Sequence, residues 1–265
     1  MFLNNSIQYN ILSVYKELQH FTTTIHKGVS EGNYASFNLG LTSGDKLENV
    51  LENRRRLCTD LDIPINKLFI PIQNHDDKVL TIDHDLLALS EVDQQEMLQN
   101  TDALITNQKN ICIGITTADC VPILLYDPIN KVFAAIHAGW RGTVRKIVSK
   151  TISIMKQKFN CNSENILSGI GPCICQDCFE VDENVAETFI KAGFELENIS
   201  LKNHQSKKYY IDLRKANEYL LKKSGCLSHN IEIINLCTVS NPNILFSARR
   251  QTIYSGRMLT GGILR

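Results

Sequence analysis

The stretch ICIGITTADCVPILLYDPINKVFAAIHAGWRGT, residues 111–143, decides how this chain folds. Residues 111–115 and 121–126 are apolar runs of strand length, and 132–136 is a third. Asp127-Pro128-Ile129-Asn130-Lys131 between the last two is turn chemistry. After the third strand, His137-Ala138-Gly139-Trp140-Arg141-Gly142-Thr143 is a glycine-bearing link into a helix. That helix buries Val144, Ile147, Val148, Thr151, Ile152, Met155 and Phe159 at helical spacing.

Strands and helices continue on both sides. Upstream, residues 68–73 and 79–82 read as strands, and 34–40 as strand and turn. Between them lies a helix with Leu47, Val50, Leu51, Arg54, Leu57, Cys58 and Leu61 on one face. Asp45 is its expected cap and Glu48 completes a capping box. Downstream, residues 165–170, 209–211, 231–236 and 244–247 read as strands. Residues 182–192 and 212–223 read as helices, with Gly193 and Gly225 past their ends. Adjacent strands mixed with helices predict an α+β fold, with mixed central β-sheets flanked by helices. No linker-like segment divides residues 1–265, so a single domain is expected, with residues 1–20 a variable N-terminal segment. There is no GxGxxG and no P-loop sequence, so neither a dinucleotide nor an ATP fold has motif support.

Composition removes several function classes. Lys+Arg and Asp+Glu are both 28, so no long-range attraction to nucleic acid or to an anionic membrane is expected. The longest apolar region, around residues 111–126, is broken by Thr116, Thr117 and Asp119 and is too polar to span a bilayer. The first ten residues, MFLNNSIQYN, lack the basic start and apolar run of a secretory signal. Nine cysteines, an odd number without framework spacing, read as reduced thiols of a cytoplasmic protein.

Three residues at expected strand ends carry the chemistry: His75, Cys120 and His137. A thiolate and two imidazoles form a plausible zinc set with a fourth position left for water or substrate. They are 45 and 17 positions apart, unlike the short pairs of zinc fingers, so tertiary structure must assemble them. Singly, each has an ordinary reading: a strand-end histidine as a hydrogen-bonded boundary residue, Cys120 as a small core hydrophobe. The 137–143 link adds weight, because its glycines allow close backbone approach and Arg141 offers a planar fork to an anion. Its ordinary reading is a tight strand-to-helix turn. Arg54, on the apolar side of its helix, and Arg249, Arg250 and Arg257 are individually weaker anion candidates. Cys173, Cys175 and Cys178 can be read as a second metal site or a redox pair. No second CxxC follows, which favours structural thiols.

Several longer motifs occur in order: Phe37-Asn-Leu-Gly40, Glu52-Asn-Arg-Arg-Arg56, Gln73-Asn-His75, Thr117-Ala-Asp-Cys-Val-Pro122, the 137–143 link, Gly169-Ile-Gly-Pro172 with Cys178, Cys237-Thr238, Phe246-Ser-Ala-Arg249 and Gly256-Arg257. On these the chain resembles the laccase-domain family, historically labelled multicopper polyphenol oxidases and assigned as zinc-containing purine nucleoside phosphorylases with adenosine deaminase side activity. The resemblance implies a cysteine-hydrolase-like α+β fold. It implies His75, Cys120 and His137 as catalytic metal ligands; Arg141, Arg54 and Asn38 are the expected substrate- or phosphate-binding residues. Its implied substrates are purine nucleosides (adenosine, inosine, guanosine, methylthioadenosine) and inorganic phosphate. No nucleic acid, membrane or protein partner is inferred. The family usually reads Gln-Val-His-Gly at the first histidine. Here Asn74 precedes it and Asp76 follows, placing an extra carboxylate beside a ligand.

The expected reaction is phosphorolysis of the N-glycosidic bond through an oxocarbenium-like transition state, with phosphate attacking the anomeric carbon. Zinc would act as Lewis acid there, and would activate water for deamination at the purine 6-position. A rival is a metal-free cysteine hydrolase or amidase, for example in peptidoglycan-precursor editing, with Cys120 as nucleophile and His137 or His75 as base. Copper-dependent phenol oxidation is disfavoured. The seven histidines (His20, His26, His75, His84, His137, His204, His229) form no HxH pair, and no methionine lies near the trio in sequence. A non-catalytic binding module is disfavoured by the complete trio beside the Gly-Trp-Arg-Gly loop.

Overall fold

The computed structural model describes residues 6–203 and 205–265; Met1 to Asn5 and His204 lie outside the described residues. The described strands are β1 (Ser6–Ile7), β2 (Leu18–Thr23), β3 (Leu68–Phe69), β4 (Val79–Ile82), β5 (Ala103–Thr106), β6 (Cys112–Thr117), β7 (Val121–Asp127), β8 (Val132–Ala138), β9 (Leu167–Ile170), β10 (Glu180–Val181), β11 (Ser200–Lys202), β12 (Tyr209–Ile211), β13 (Ile231–Ile233) and β14 (Met258–Leu264). They form a five-stranded sheet ordered β1-β2-β14-β6-β3, a six-stranded sheet ordered β13-β9-β7-β8-β5-β4, and a small sheet ordered β10-β12-β11.

The decisive stretch builds the centre. The four-residue connection after β7 is too short for a parallel crossover, so β7 and β8 pair antiparallel, Val121 opposite Ala138 and Asp127 opposite Val132. Asp127 Oδ1 accepts from the Ile129 and Asn130 amides at 2.9 and 3.0 Å, which closes the turn. Every residue of both strands is buried. Val121, Ile123 and Leu125 of β7, with Val132, Ala134 and Ile136 of β8, pack under the helices Ile147–Phe159 and Leu213–Lys223. The alternate residues Leu124, Tyr126, Phe133 and Ala135 meet Phe69, Ile113, Ile115 and Leu264 of the other sheet. Strands buried on both faces lose the polar alternation of a half-exposed strand, which is why they read as unbroken apolar runs. Sequestering one such side chain, Phe133, stabilises by roughly 1.5–3 kcal/mol. The outer face of the five-stranded sheet packs Phe21, Leu259 and Ile263 against Leu57, Cys58 and Leu61 of the helix Leu47–Leu61. The layers therefore run helix, sheet, sheet, helix, and the fold class is the mixed α+β one expected.

Individual elements depart from expectation. The helix Leu47–Leu61 is preceded by Lys46 as N-cap, without a side-chain cap. Asp45 instead accepts from Asn38 Nδ2 at 3.0 Å and from the Lys46 amide at 2.8 Å. Leu47 and Leu51 are exposed, because the buried face runs through Val50, Asn53, Leu57, Cys58 and Leu61. Asn53 belongs there because its Nδ2 donates to Ser30 Oγ and to the Ser36 and Asn38 carbonyls. The expected helix from 144 is two helices, Trp140–Val144 and Ile147–Phe159, parted at Lys146 with φ 62°. Residues 34–40 carry no strand. Residues 244–247 are loop as well, and Ser247 Oγ accepts from the Arg250 amide to cap Ala248–Gln251. The weakly patterned N-terminal stretch buries Tyr9 and Leu12 completely and enters β2. Among the described residues, no helix is long and apolar enough to cross a membrane.

Candidate functional site

The rim where β6 turns into β7 and β8 ends gathers the three singled-out residues. Cys120 is the last residue of that turn, His137 is the penultimate residue of β8, and His75 sits on the loop beyond β3. One ligand atom from each lies within 4.8 Å of the others. The two imidazoles meet edge to face, with centroids 4.8 Å apart and planes at 78°. His137 is buried, Cys120 partly so, and His75 exposed, so the cluster opens to solvent on the His75 side.

A residue the sequence reading passed over organises this arrangement. Asp102, fully buried just before β5, accepts three consecutive backbone amides, from Asn74 (3.3 Å), His75 (3.0 Å) and Asp76 (3.0 Å). Its Oδ1 also bonds His137 Nδ1 at 2.7 Å, and its carbonyl accepts the His137 amide at 2.7 Å. One carboxylate thus bends the His75 loop and directs His137 Nε2 toward Cys120. The available signal was an acidic residue flush against the apolar run of β5. Gln73 braces the same loop: its side chain donates to the Thr116 carbonyl (2.9 Å) and accepts the Thr116 amide (2.8 Å).

Cys120 is held through its neighbour. Asp119 has φ 93°, a conformation unfavourable for a residue with a Cβ, and three bonds fix it there. Thr238 Oγ1 donates to Oδ1 at 2.5 Å, the Arg249 amide to Oδ2 at 2.6 Å, and the Ile174 amide to its carbonyl at 2.9 Å. His75, at φ 63°, is similarly strained. Gly139 is required by close approach: a Cβ there would lie 2.9 Å from Cys120 Sγ and 3.2 Å from His75 Cδ2.

The electrostatics pair a thiolate with an imidazolium. Burial raises the Cys120 thiol, but the His137 charge and hydrogen bonds from His137 and His75 outweigh it and bring the pKa down to about 6. Burial likewise lowers His137, but the Cys120 charge and the Asp102 hydrogen bond raise it to about 9.

The remaining expected residues are placed as follows. Arg141 is exposed and lies over the Trp140 ring at 4.4 Å, one turn beyond His137. Arg54 points inward, donating from Nε (3.1 Å) and Nη2 (2.9 Å) to the Leu39 carbonyl, and burial pushes its pKa down to about 10. Asn38 is fully buried; it donates to Ser43 Oγ and Asp45 and accepts the Gly40 and Arg257 amides. The side-chain hydrogen bonds of Arg54 and Asn38 run to residues 39–45 and to Arg257 rather than to the trio itself. Burial lowers the Arg257 guanidinium while the nearby Cys120 and Asp119 charges pull it up, which puts this residue on the cluster's border. Arg250 is spent on the Thr238, Val239 and Leu245 carbonyls. Asp76, the extra carboxylate, pairs with Arg145.

Chemically the trio fits a metal ion. It offers one soft and two borderline donors, with one imidazole oriented by a carboxylate, and an open side for a further ligand.

Residues 19–265 match the family model described as multi-copper polyphenol oxidoreductase laccase. A Bacteroides thetaiotaomicron protein named purine nucleoside phosphorylase is 43% identical over 253 residues, covering 96% of this chain and 94% of its own length. A protein from an unknown prokaryotic organism, named adenosine deaminase RL5, is 38% identical over 92% of this chain and 93% of its own. The crystal structure of YlmD from Geobacillus stearothermophilus superposes with a TM-score of 0.90 at 26% identity, covering 100% of this chain and 98% of that one.

Proposed function

The chain belongs to the family described as multi-copper polyphenol oxidoreductase laccase, and within it we propose a zinc-dependent purine nucleoside phosphorylase that cleaves adenosine, inosine, guanosine and methylthioadenosine with inorganic phosphate and deaminates adenosine as a side activity. The observation that carries the reading is the meeting of His75, Cys120 and His137 at one open-sided point, with Asp102 fixing the third. The relatives named purine nucleoside phosphorylase and adenosine deaminase support the choice of reaction.

His75, Cys120 and His137 would hold the zinc, which when bound supplies Lewis-acid stabilisation to charge developing on the purine and activation of water for the deamination. Asp102 keeps the His137 proton on Nδ1, leaving Nε2 free to donate its lone pair. Phosphate is assigned to Arg141, whose exposed guanidinium lies over the Trp140 ring. Arg54 and Asn38 act at one remove, through the Leu39 carbonyl and the Arg257 amide. The protein is placed in the cytoplasm, with no partner beyond nucleoside and phosphate.

A second reading has its own observation. Cys120, His137 and Asp102 form a thiol–imidazole–carboxylate series suited to a metal-free cysteine hydrolase or amidase. His75 argues against it, because that chemistry has no use for a second imidazole on the same sulfur.

The test is base release from each nucleoside by metal-assayed protein, with and without phosphate. Free base appearing only with phosphate, and absent in Cys120→Ala, is the expected result. No base from fully metallated protein rejects the assignment. Amidase turnover that survives chelation and is lost on Cys120 alkylation replaces it with the hydrolase.

A further inference from the structure

Away from the trio, a second group of sulfurs converges. Cys175 caps and Cys178 ends the 3-10 turn Gln176–Cys178, whose hydrogen bond from the Cys178 amide to the Cys175 carbonyl is 3.1 Å. Cys237 arrives from distant sequence. Its segment runs parallel to Cys173, and the Thr238 amide donates to the Cys173 carbonyl at 3.0 Å. The three Sγ atoms lie within 4.8 Å of one another, and all three thiols are free.

We propose that Cys175, Cys178 and Cys237 form a second metal site, a three-thiolate clamp for zinc that is separate from the nucleoside site. Metal–sulfur bonds of about 2.3 Å put tetrahedral thiolates roughly 3.8 Å apart, inside the spread seen here. A disulfide would use two of the sulfurs at about 2.05 Å and leave the third without a role. The Cys237 sulfur is surrounded by donors suited to a thiolate: the Cys175 amide at 3.3 Å, and the backbone and hydroxyl of Ser240. Three thiolates on a divalent ion leave one net negative charge. Arg249 lies alongside, its Nη1 donating to the Cys178 carbonyl at 3.1 Å. The sequence shows only two of the three sulfurs as a motif, because a CxxC gives no hint that the third is some sixty positions away.

The position gives the clamp its use. Thr238, next to Cys237, and Arg249 both hold Asp119, the strained residue before Cys120. An ion bridging the 175–178 turn to Cys237 fixes the framework those two bonds start from, without contacting the nucleoside site.

The experiment uses the Cys120→Ala protein, in which the trio is broken, reduced and handled without oxygen. Cobalt(II) is titrated in, followed by zinc. One bound cobalt per chain is expected, with strong thiolate-to-cobalt charge-transfer absorption and tetrahedral d–d bands that zinc abolishes. Adding Cys178→Ser or Cys175→Ser to Cys120→Ala should remove the intense absorption while circular dichroism stays unchanged, and Cys161→Ser should leave it intact. Cys120→Ala protein that folds but binds no cobalt overturns the proposal. So does binding without thiolate absorption, or a mass showing a Cys175, Cys178 or Cys237 disulfide in freshly isolated protein. The readout needs no nucleoside turnover, so it stands or falls apart from the proposed activity.

Discussion

Replacing Asp102 with asparagine is the sharpest perturbation of the site, because it keeps shape and removes charge. Oδ2 accepts the Asn74 and Asp76 amides, and Oδ1 accepts the His75 amide and bonds His137 Nδ1. An asparagine with its NH2 at the Oδ2 position faces two N–H donors, leaving both unpaired at about 1–3 kcal/mol each. The flipped amide puts its NH2 toward His75 and His137. It leaves only the His75 amide unpaired if His137 shifts its proton to Nε2, the nitrogen that faces Cys120. The flipped state is cheaper, so the variant folds by spoiling His137 as the proposed metal ligand. We expect a modest fall in melting temperature and a loss of zinc affinity of about 10–100-fold, with activity falling in step. Competition against a chromophoric chelator measures the affinity, and thermal unfolding of the metal-free protein measures the structural cost. Undiminished zinc affinity in a folded Asp102→Asn protein would refute the assigned role.

Other expectations are equally specific. Gly139→Ala drives a methyl into Cys120 Sγ and His75 Cδ2, so zinc binding should weaken by about tenfold or more, with an overpacking cost of about 1–3 kcal/mol in stability. In metal-stripped protein, the Cys120 thiol lowered to about 6 is ionised above that pH. Alkylation by iodoacetamide should therefore stay fast from pH 9 down to about pH 6 and slow only below it; a midpoint near an ordinary thiol's would contradict the pairing with His137. Asp76→Ala breaks an exposed ion pair with Arg145, worth about 0–1 kcal/mol, and should leave zinc affinity unchanged by the same chelator assay.

The central hairpin was legible because residues buried on both faces leave unbroken apolar runs, and the turn at Asp127 is written in side chains that bond their own backbone. β14 was not legible. Glycines such as Gly261 and Gly262 weaken a strand signal, yet a Cβ on Gly261 would strike the Ile113 carbonyl at 2.3 Å, so the pairing requires the absence of a side chain there. Asn53 hid the true face of its helix, since a polar residue satisfied by the Val29 amide, the Ser30 hydroxyl and the Ser36 and Asn38 carbonyls carries no hydrophobic signal. Within the site, the His75, Cys120 and His137 trio showed as residues of the right chemistry next to expected strand ends, although His75 lies on a loop beyond the two-residue β3. Asp102 did not, because its work is done through backbone amides that one sequence cannot display. The 175–178 thiols were visible as a motif, but Cys237 joins them only through a tertiary bridge.

The proposed site is tested most directly by what surrounds a zinc ion bound at the trio. Zinc-edge X-ray absorption on Cys175→Ser/Cys178→Ser protein, where the trio is the remaining thiolate site, is predicted to show one sulfur and two imidazole nitrogens, and to lose the sulfur in a further Cys120→Ala variant. Folded protein that retains no zinc, or whose zinc spectrum lacks the sulfur, would contradict it.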